Sequence, residues 1–436
     1  MTESKLSQKT MDIMQATASV IGEQGVQIVS RMYQNMFRDN PEIKPYFNQA
    51  NQSFGEDKTR ASQIETFNSQ AFGMARGPGS QAVSLAQAVV SYAKNLQEGK
   101  ESLGPSVLRI AHKHASLNIL PEHYPIVGNH LIGAIKEILG PEVATEELLA
   151  AWSEGYVFLA SIMIGFEDEL RRENASKVGG WTGFRKFVVA KKVKESEEVT
   201  SFYFKPQDGG PLPPYKAGQY TCFHLDIPGT GVIYRSYTLS TAPGKEHFRV
   251  SVKREVGVRR YPHGLCSNYF HDNVKVGDVL DMAPPYGDLT LVETKLPYVF
   301  MAGGIGITPM FSMLQSAVEA KLPQNIHFIQ VMRNRRLHPL EREVRKVCRL
   351  HSNVKLHTFY SQPDPTDLQG EDYDFTGHLT AKTLRELVPT PECEFYFTGP
   401  VKFMRDMRIA LREWGVPPER IHYECFGPMA AEIEGA

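Results

Sequence analysis

A chain of 436 residues is too long for one compact core, so two or three domains are expected. A formal net charge of −1, with 42% hydrophobic and 22% charged residues, provides no global field that would draw nucleic acid or an anionic membrane. The five cysteines (Cys222, Cys266, Cys348, Cys393 and Cys425) are scattered and form no CxxC pair, which argues against a disulfide framework, a zinc ribbon and an iron–sulfur cluster. They point instead to a reducing compartment. The N-terminus, MTESKLSQKTMDIM, is polar and mixed in charge, unlike a signal peptide. The longest nearly apolar run, YVFLASIMIGF, is too short to span a bilayer. A cytoplasmic chain without stable membrane insertion is expected.

Residues 1–172 read as helices joined by short breakers. QATASVIGEQGVQIVSRMYQNMF is one helical pattern, ended by DNPEIKP. SLAQAVVSYAKNL, PSVLRIAHKHASLNI, YPIVGNHLIGAIKEIL and ATEELLAAWSEGYVFLASIMIGFEDELRRE follow, each with apolar residues at helical spacing. The stretch VLRIAHKHASL carries two histidines two positions apart. On a strand they would share a face and could clamp one metal ion; on a helix they diverge. The apolar positions Val107, Ile110, Ala111 and Leu117 follow the helical period, placing His114 on the buried face and His112 outside with Arg109 and Ser116. A shared metal site is therefore not expected. Taken alone, His114 reads most simply as a core histidine.

The pattern changes at ENASKVGGW, residues 173–181. Short strands follow: FRKFVVAKKV, VTSFYFKP, GQYTCFHLD, RSYTLS, FRVSVKRE and DVLDMAPPYGDLTL, spaced by Gly and Pro as in an antiparallel barrel over 181–292. From 296 to 436 strands alternate with helices, PYVFMAGG with PMFSMLQSAVEAK, IHFIQVMR with PLEREVRKVC, EFYFTGP with VKFMRDMRIALREWG, as in an α/β domain with a parallel sheet. In YVFMAGGIGITPMFSML a Gly-rich turn joins a buried strand to a helix. Gly303, Gly304 and Gly306 would let backbone approach a pyrophosphate, and Pro309 is preset for the first helical turn. A plain tight turn gives the same pattern. In RSYTLS, Arg235 and Tyr237 share one face of a strand and Thr238 adds a hydroxyl. An ordinary edge strand with a solvated Arg gives that pattern too.

GQY, RSYTLS, GGIGITPM, FTGP and ECFGP, in this order, resemble the ferredoxin–NADP reductase-like flavoproteins over about residues 181–430. The resemblance implies that Tyr220, Arg235, Ser236, Tyr237 and Thr238 hold FAD, with Arg235 on its pyrophosphate and Thr238 near the reactive flavin nitrogen. Ser267 would serve the same phosphates. Gly304, Gly306, Thr308 and Pro309 would receive the nicotinamide dinucleotide. Phe426 would cover the flavin ring within the terminal run Glu424, Cys425, Phe426, Gly427 and Pro428. Where the family often has CGP, this chain has Thr398-Gly399-Pro400, so a thiol near the nicotinamide is replaced. Arg333, Arg335 and Arg336 follow a strand where a 2′-phosphate could be met, although a solvated basic loop is the preferred reading. NADH and NADPH both stay open.

A flavin reductase fused to helices needs an acceptor there, and a haem held by one histidine suits a helical domain of this length. With NPEIKPYFN, IAHKH, LPEHYPIVGNHL and AWSEGYVFLASIMI, the whole chain resembles the flavohaemoglobins. This implies a globin, then a β-barrel FAD domain, then an α/β NAD(P) domain, carrying haem b, FAD and NADH or NADPH. His114 would be the proximal iron ligand, with Tyr124 and Glu167 as partners. A carboxylate accepting the free ring N–H makes an imidazole more electron-rich and fixes its orientation. Tyr33 would donate to bound oxygen and Phe47 would pack on the porphyrin edge. The distal helix departs from the pattern, because about 25 residues, 53–77, intervene before it. A gapped match with Gln81 and Leu85 at the distal positions is preferred to an ungapped one with Asp57 and Ala61. In it, Leu85, Ala88, Val89, Tyr92 and Leu96 form one stripe. The insertion reads as a surface lid or loop. The implied activity is nitric oxide dioxygenation by electron relay from NAD(P)H through FAD to haem, converting nitric oxide and O₂ to nitrate in a monomer. The alternatives are an oxygen- or redox-sensing globin with its own reductase, or a hydroperoxide or ferric reductase.

Overall fold

The computed structural model describes residues 6–47, 92–93, 104–257 and 263–426. It divides into two compact units, Met1–Glu173 and Asn174–Ala436. In the first, α1 (Gln8–Glu23) and α2 (Gly25–Asp39) replace the single helix that the apolar period suggests. The break falls at Gln24, whose φ of −99° and ψ of 6° end α1. The buried stripe Met14, Ala18, Ile21 continues in phase through Ile28, Met32 and Met36, which is why the pattern reads as unbroken. Ser7 caps α1 by accepting from the Thr10 N–H at 3.1 Å. A 3₁₀ turn (Pro41–Tyr46), α3 (Gly104–Ser116), α4 (His123–Val143) and α5 (Glu146–Ser176) complete the described helices of this unit.

By length and composition α5 could cross a membrane. Its apolarity has a second source. It supplies Leu148, Ala151 and Trp152 to the cluster built with α1 and α2, and Ala160 and Met163 to a separate cluster with Val107, Ala111 and Tyr124. A helix buried along two stripes is apolar most of the way round.

The second unit holds two six-stranded sheets. The first comprises β1 (Arg185–Lys194), β2 (Val199–Pro206), β3 (Tyr220–Ile227), β4 (Gly231–Thr238), β5 (Phe248–Lys253) and β6 (Val279–Met282). Their antiparallel order is β4-β3-β6-β1-β2-β5, and a Leu239–Val250 bridge brings the two edges together. A helix, α6 (Leu265–Asp272), places Phe270 and Cys266 in the barrel core.

The second sheet is parallel, in the order β10-β9-β8-β7-β11-β12, from β7 (Tyr298–Gly303), β8 (Ile326–Met332), β9 (Val354–Tyr360), β10 (Phe375–Thr376), β11 (Glu394–Thr398) and β12 (Ile421–Tyr423). Every residue of β7, β8 and β11 is buried, as strands covered on both faces must be. The covering helices are α7 (Ile307–Glu319), α8 (Glu341–Leu350), α9 (Ala381–Leu387) and α10 (Val401–Glu413).

Barrel and parallel sheet meet across a polar seam. Arg249 of β5, 1% exposed, places Nη1 2.8 and 2.9 Å from the two carboxylate oxygens of Glu343 on α8. Ser312 of α7 donates to the Thr241 carbonyl at 2.6 Å. The strands β7 and β11 also come unusually close where they end. A Cβ on Gly306 would lie 2.1 Å from the Thr398 carbonyl oxygen, and one on Gly303 2.8 Å from Pro400. Glycine at 306 is thus required by the protein's own backbone. Gly304 is different, with a φ of +55° and open space where a Cβ would stand.

Gly306→Ala should therefore cost about 1–3 kcal/mol of stability by overpacking. Gly304→Ala should cost only the left-handed penalty, roughly 1–2 kcal/mol. Chemical denaturation of the two variants checks this order. A second expectation concerns acid. Burial pushes the His327 imidazole down to about 4 and His338 down to about 3, from an ordinary 6.5. Both rings stay neutral in the fold, whereas the unfolded chain takes up protons below 6.5. Their contribution is present above that value and is lost as pH falls toward 4. Thermal melts across that range should show declining stability, and His327→Gln should flatten the decline.

Candidate functional site

The centre of the helical unit is a hydrogen-bonded cluster on α3, α4 and α5. His114 Nδ1 lies 2.8 Å from Glu167 Oε1 and 3.0 Å from the Tyr124 hydroxyl. Tyr124 donates to the same Glu167 oxygen in a short contact. Burial and the neighbouring Glu167 push the Tyr124 phenol well above its ordinary range, so it stays a donor. Glu167 is completely buried. Two flanking contacts brace the backbone that carries Tyr124. Tyr156 donates to the Tyr124 carbonyl at 2.8 Å, and a Cβ on Gly128 would lie 2.4 Å from the Tyr156 ring, so glycine is needed there.

The three residues that the sequence singles out are thus in mutual contact, but the face of α3 differs from the periodic reading. His114 is a third exposed at its side chain, not buried. Ile110, one turn earlier, is 38% exposed, while His112 and Ser116, expected outside, are buried. The packed stripe is Val107, Ala111, Ala115 and Ser116. The apolar period marks a second wall alongside the packed one. With Nδ1 engaged, Nε2 is the ring nitrogen suited to a metal, and an exposed apolar flank beside it suits a flat hydrophobic ring. The donor set therefore fits a haem.

A fourth side chain joins the cluster. Arg171, four residues after Glu167, places Nη2 3.4 Å from Glu167 Oε2, and its Nη1 donates to Asp168 at 3.0 Å. It is 8% exposed. The i, i+4 spacing from Glu167 is the signal in the sequence that would have found it.

On α2, Tyr33 is 6% exposed and packs on Phe37 at 5.5 Å and edge-on to Phe47 at 5.4 Å. Burial raises its phenol above the ordinary range. Gln81, Leu85, Asp57, Ala61 and the 53–77 insertion lie outside the described residues, so neither distal register is placed.

In the barrel, Tyr220, Arg235, Ser236, Tyr237 and Thr238 lie on the paired strands β3 and β4, with Tyr220 opposite Thr238. Tyr237 is packed against Phe223 and Phe270, and burial raises its phenol. A Cβ on Gly287 would lie 3.1 Å from the Tyr220 ring. Ser267 Oγ accepts from the Glu255 N–H at 3.1 Å and donates to the Gly264 carbonyl at 3.2 Å, so its hydroxyl also shapes the loop.

In the parallel-sheet half, Gly304 and Gly306 form the turn between β7 and α7, with Thr308 and Pro309 buried in the first helical turn. The Thr308 hydroxyl donates to the Ile305 carbonyl at 3.1 Å. The open space over Gly304 at a helix N-terminus fits a dinucleotide phosphate. Thr398 Oγ1 donates to the Glu424 carbonyl at 3.4 Å, tying β11 to the segment that carries Cys425 and the 46% exposed Phe426. Gly427 and Pro428 lie outside the described residues. The basic run is solvated, its side chains about half exposed, and each arginine is ion-paired. Arg333 pairs with Glu198, Arg335 with Asp372, and Arg336 with Asp364 and Glu197.

Comparison with known proteins agrees with this three-part arrangement. Family models match as globin over residues 30–163, as oxidoreductase FAD-binding domain over 186–291, and as oxidoreductase NAD-binding domain over 300–408. A flavohemoprotein of Bacillus thuringiensis subsp. konkukian is 42% identical over 428 residues, covering 98% of this chain and 99% of its own. The crystal structure of a flavohemoglobin from Malassezia yamatoensis with bound FAD and heme superposes with a TM-score of 0.77 at 27% identity, over 97% of this chain and 100% of that one. The FAD/NAD-binding domain of a nitric oxide dioxygenase from Vibrio cholerae O1 biovar El Tor covers 56% of this chain and 99% of its own, at 33% identity and a TM-score of 0.51. Identity at this level along nearly the full length means that the chain belongs to the flavohemoprotein family.

Proposed function

We propose that this chain is an NAD(P)H-dependent nitric oxide dioxygenase carrying haem b and FAD. One observation carries the assignment: a buried carboxylate and a phenol converge on Nδ1 of one histidine, His114, in a globin-type unit on the same chain as a flavin reductase. Simple reversible oxygen carriage gains nothing from such a strongly polarised ligand, whereas bond-making on oxygen does. When bound, the three cofactors supply a hydride, its division into single electrons, and an iron centre at which those electrons meet oxygen, so that nitric oxide and O₂ leave as nitrate.

The protein's own contribution is positioning and polarisation. Glu167 Oε1 engages Nδ1 of His114 and so leaves Nε2 as the ring nitrogen that would hold the haem iron. Tyr124 fixes that carboxylate oxygen from a second direction. Tyr33, kept protonated by burial, offers the hydrogen bond to the oxygen substrate, with Phe47 beside it as porphyrin packing. Gln81 and Leu85 are the candidates for the two distal positions by the gapped match of the sequence. Arg235, Ser236, Tyr237, Thr238, Tyr220 and Ser267 hold FAD. Gly304, Gly306, Thr308 and Pro309 receive the nicotinamide dinucleotide, and Phe426 covers the flavin, with Glu424, Cys425, Gly427 and Pro428 as its neighbours in the cofactor-binding run. The carboxylates that already occupy Arg333, Arg335 and Arg336 favour NADH over NADPH. One chain carries all three modules, which supports a self-contained monomer, and cysteines kept as thiols suit the cytoplasm.

The purified protein should show flavin and Soret bands together and convert nitric oxide to stoichiometric nitrate with NADH and O₂. A peroxide product, or no nitrate, would reject the assignment. His114→Ala should lose the haem and all nitrate formation while keeping flavin reduction by NADH. Tyr33→Phe should release oxygen roughly tenfold to 150-fold faster, the equivalent of a 1.5–3 kcal/mol hydrogen bond. Flash photolysis measures that rate.

A further inference from the structure

The His114–Glu167–Tyr124 cluster makes the proximal imidazole electron-rich, and nothing within those three residues sets how far this goes. A fully buried carboxylate aimed at Nδ1–H drives the ring toward imidazolate. That stabilises ferric over ferrous iron and so opposes the one-electron reduction on which turnover depends. The second oxygen of the same carboxylate decides the balance, and the structure puts a permanent cation there.

We propose that Arg171 is a positioning residue that draws Glu167 away from His114, moderating the proximal ligand and keeping the haem reducible. The inference rests on His114 being the iron ligand. Arg171 Nη2 lies 3.4 Å from Glu167 Oε2, on the side of the carboxylate opposite the histidine contact. The guanidinium is 8% exposed, so water screens little of this interaction. It is held in place from two further directions. Nη2 donates to the Ile119 carbonyl in a short contact, and Nη1 donates to Asp168 at 3.0 Å. Its buried Nε has no partner among the described residues, so the group is not placed to maximise its own hydrogen bonding. The three contacts form a charge chain from surface to ring: Asp168, half exposed, then Arg171, then Glu167, then His114. Positive charge at Oε2 makes Oε1 a weaker acceptor, leaves the proton closer to Nδ1, and softens the ring's push on the iron.

The test is spectroelectrochemical titration of the haem-loaded full chain, with the iron–histidine stretch of the ferrous form by resonance Raman as a second readout. Arg171→Gln keeps a donor for the Ile119 carbonyl and removes the charge. It should shift the ferric/ferrous equilibrium about tenfold toward ferric, ~59 mV for one electron, and raise the stretching frequency. Arg171→Lys, which keeps the charge, should stay within about twofold of the wild type. Asp168→Asn, a change at a half-exposed side chain, unmasks the guanidinium and should move both readouts the opposite way. In a Glu167→Gln background the effect of Arg171→Gln should shrink to less than about twofold, because the path through the carboxylate is gone. An unchanged or opposite shift in Arg171→Gln, an equal shift in Arg171→Lys, or a shift in Asp168→Asn of the same sign as Arg171→Gln would each overturn the proposal. If wild-type protein binds no haem through His114, the ligand assignment fails instead, and the Soret band of His114→Ala separates that case.

Discussion

A single proton shared between Nδ1 of His114 and a carboxylate with no exposure to solvent is the interaction on which the rest depends. Burying Glu167 without partners would carry a heavy desolvation cost. The helical unit offsets it with an imidazole, a phenol and a guanidinium, each from a different turn or helix. Each partner must then be delivered accurately, which explains several otherwise odd residues. Gly128 is small so that Tyr156 can brace α4 beneath Tyr124, and α5 is long and carries buried residues along its length so that it can present Glu167 and Arg171 beyond the stretch that packs on α1 and α2.

The fold class was legible because its signals are local. Helical spacing, then short Gly- and Pro-bounded strands, then strand–helix alternation each follow from chain chemistry, and the two sheets have the expected antiparallel and parallel character. What escaped had a physical reason in each case. The break at Gln24 keeps the apolar stripe in phase on both sides, so periodicity cannot see it. Strand β9, VKLHTFY, carries Lys355 and His357 and does not look like a buried strand. At α3 the period located an apolar face but could not say whether that face meets protein or a flat ligand. His112 and Ser116 are consequently buried where solvent was expected.

The candidate site was legible where several residues converge on one atom, as at His114. It was not legible where the contact depends on tertiary approach. Gly306 reads as a phosphate-approach glycine, and the fold adds a second demand invisible in the sequence, because a Cβ there would meet the Thr398 carbonyl. Likewise the arginines after β8 looked like a basic loop, and only the fold brings Glu198, Asp372, Asp364 and Glu197 to them.

The seam around Arg249 has a consequence for how such a chain is assembled over generations. A guanidinium planted in one half and answered by a carboxylate of the other means that neither half is a finished product by itself. A recombination event that parts the barrel from the parallel sheet strands a cation in an apolar wall, whereas one that cuts near Glu173 leaves both compact units intact. The barrel and the parallel sheet are thus joined by a charge pair that neither could complete alone, whereas the boundary between the compact units lies at Glu173.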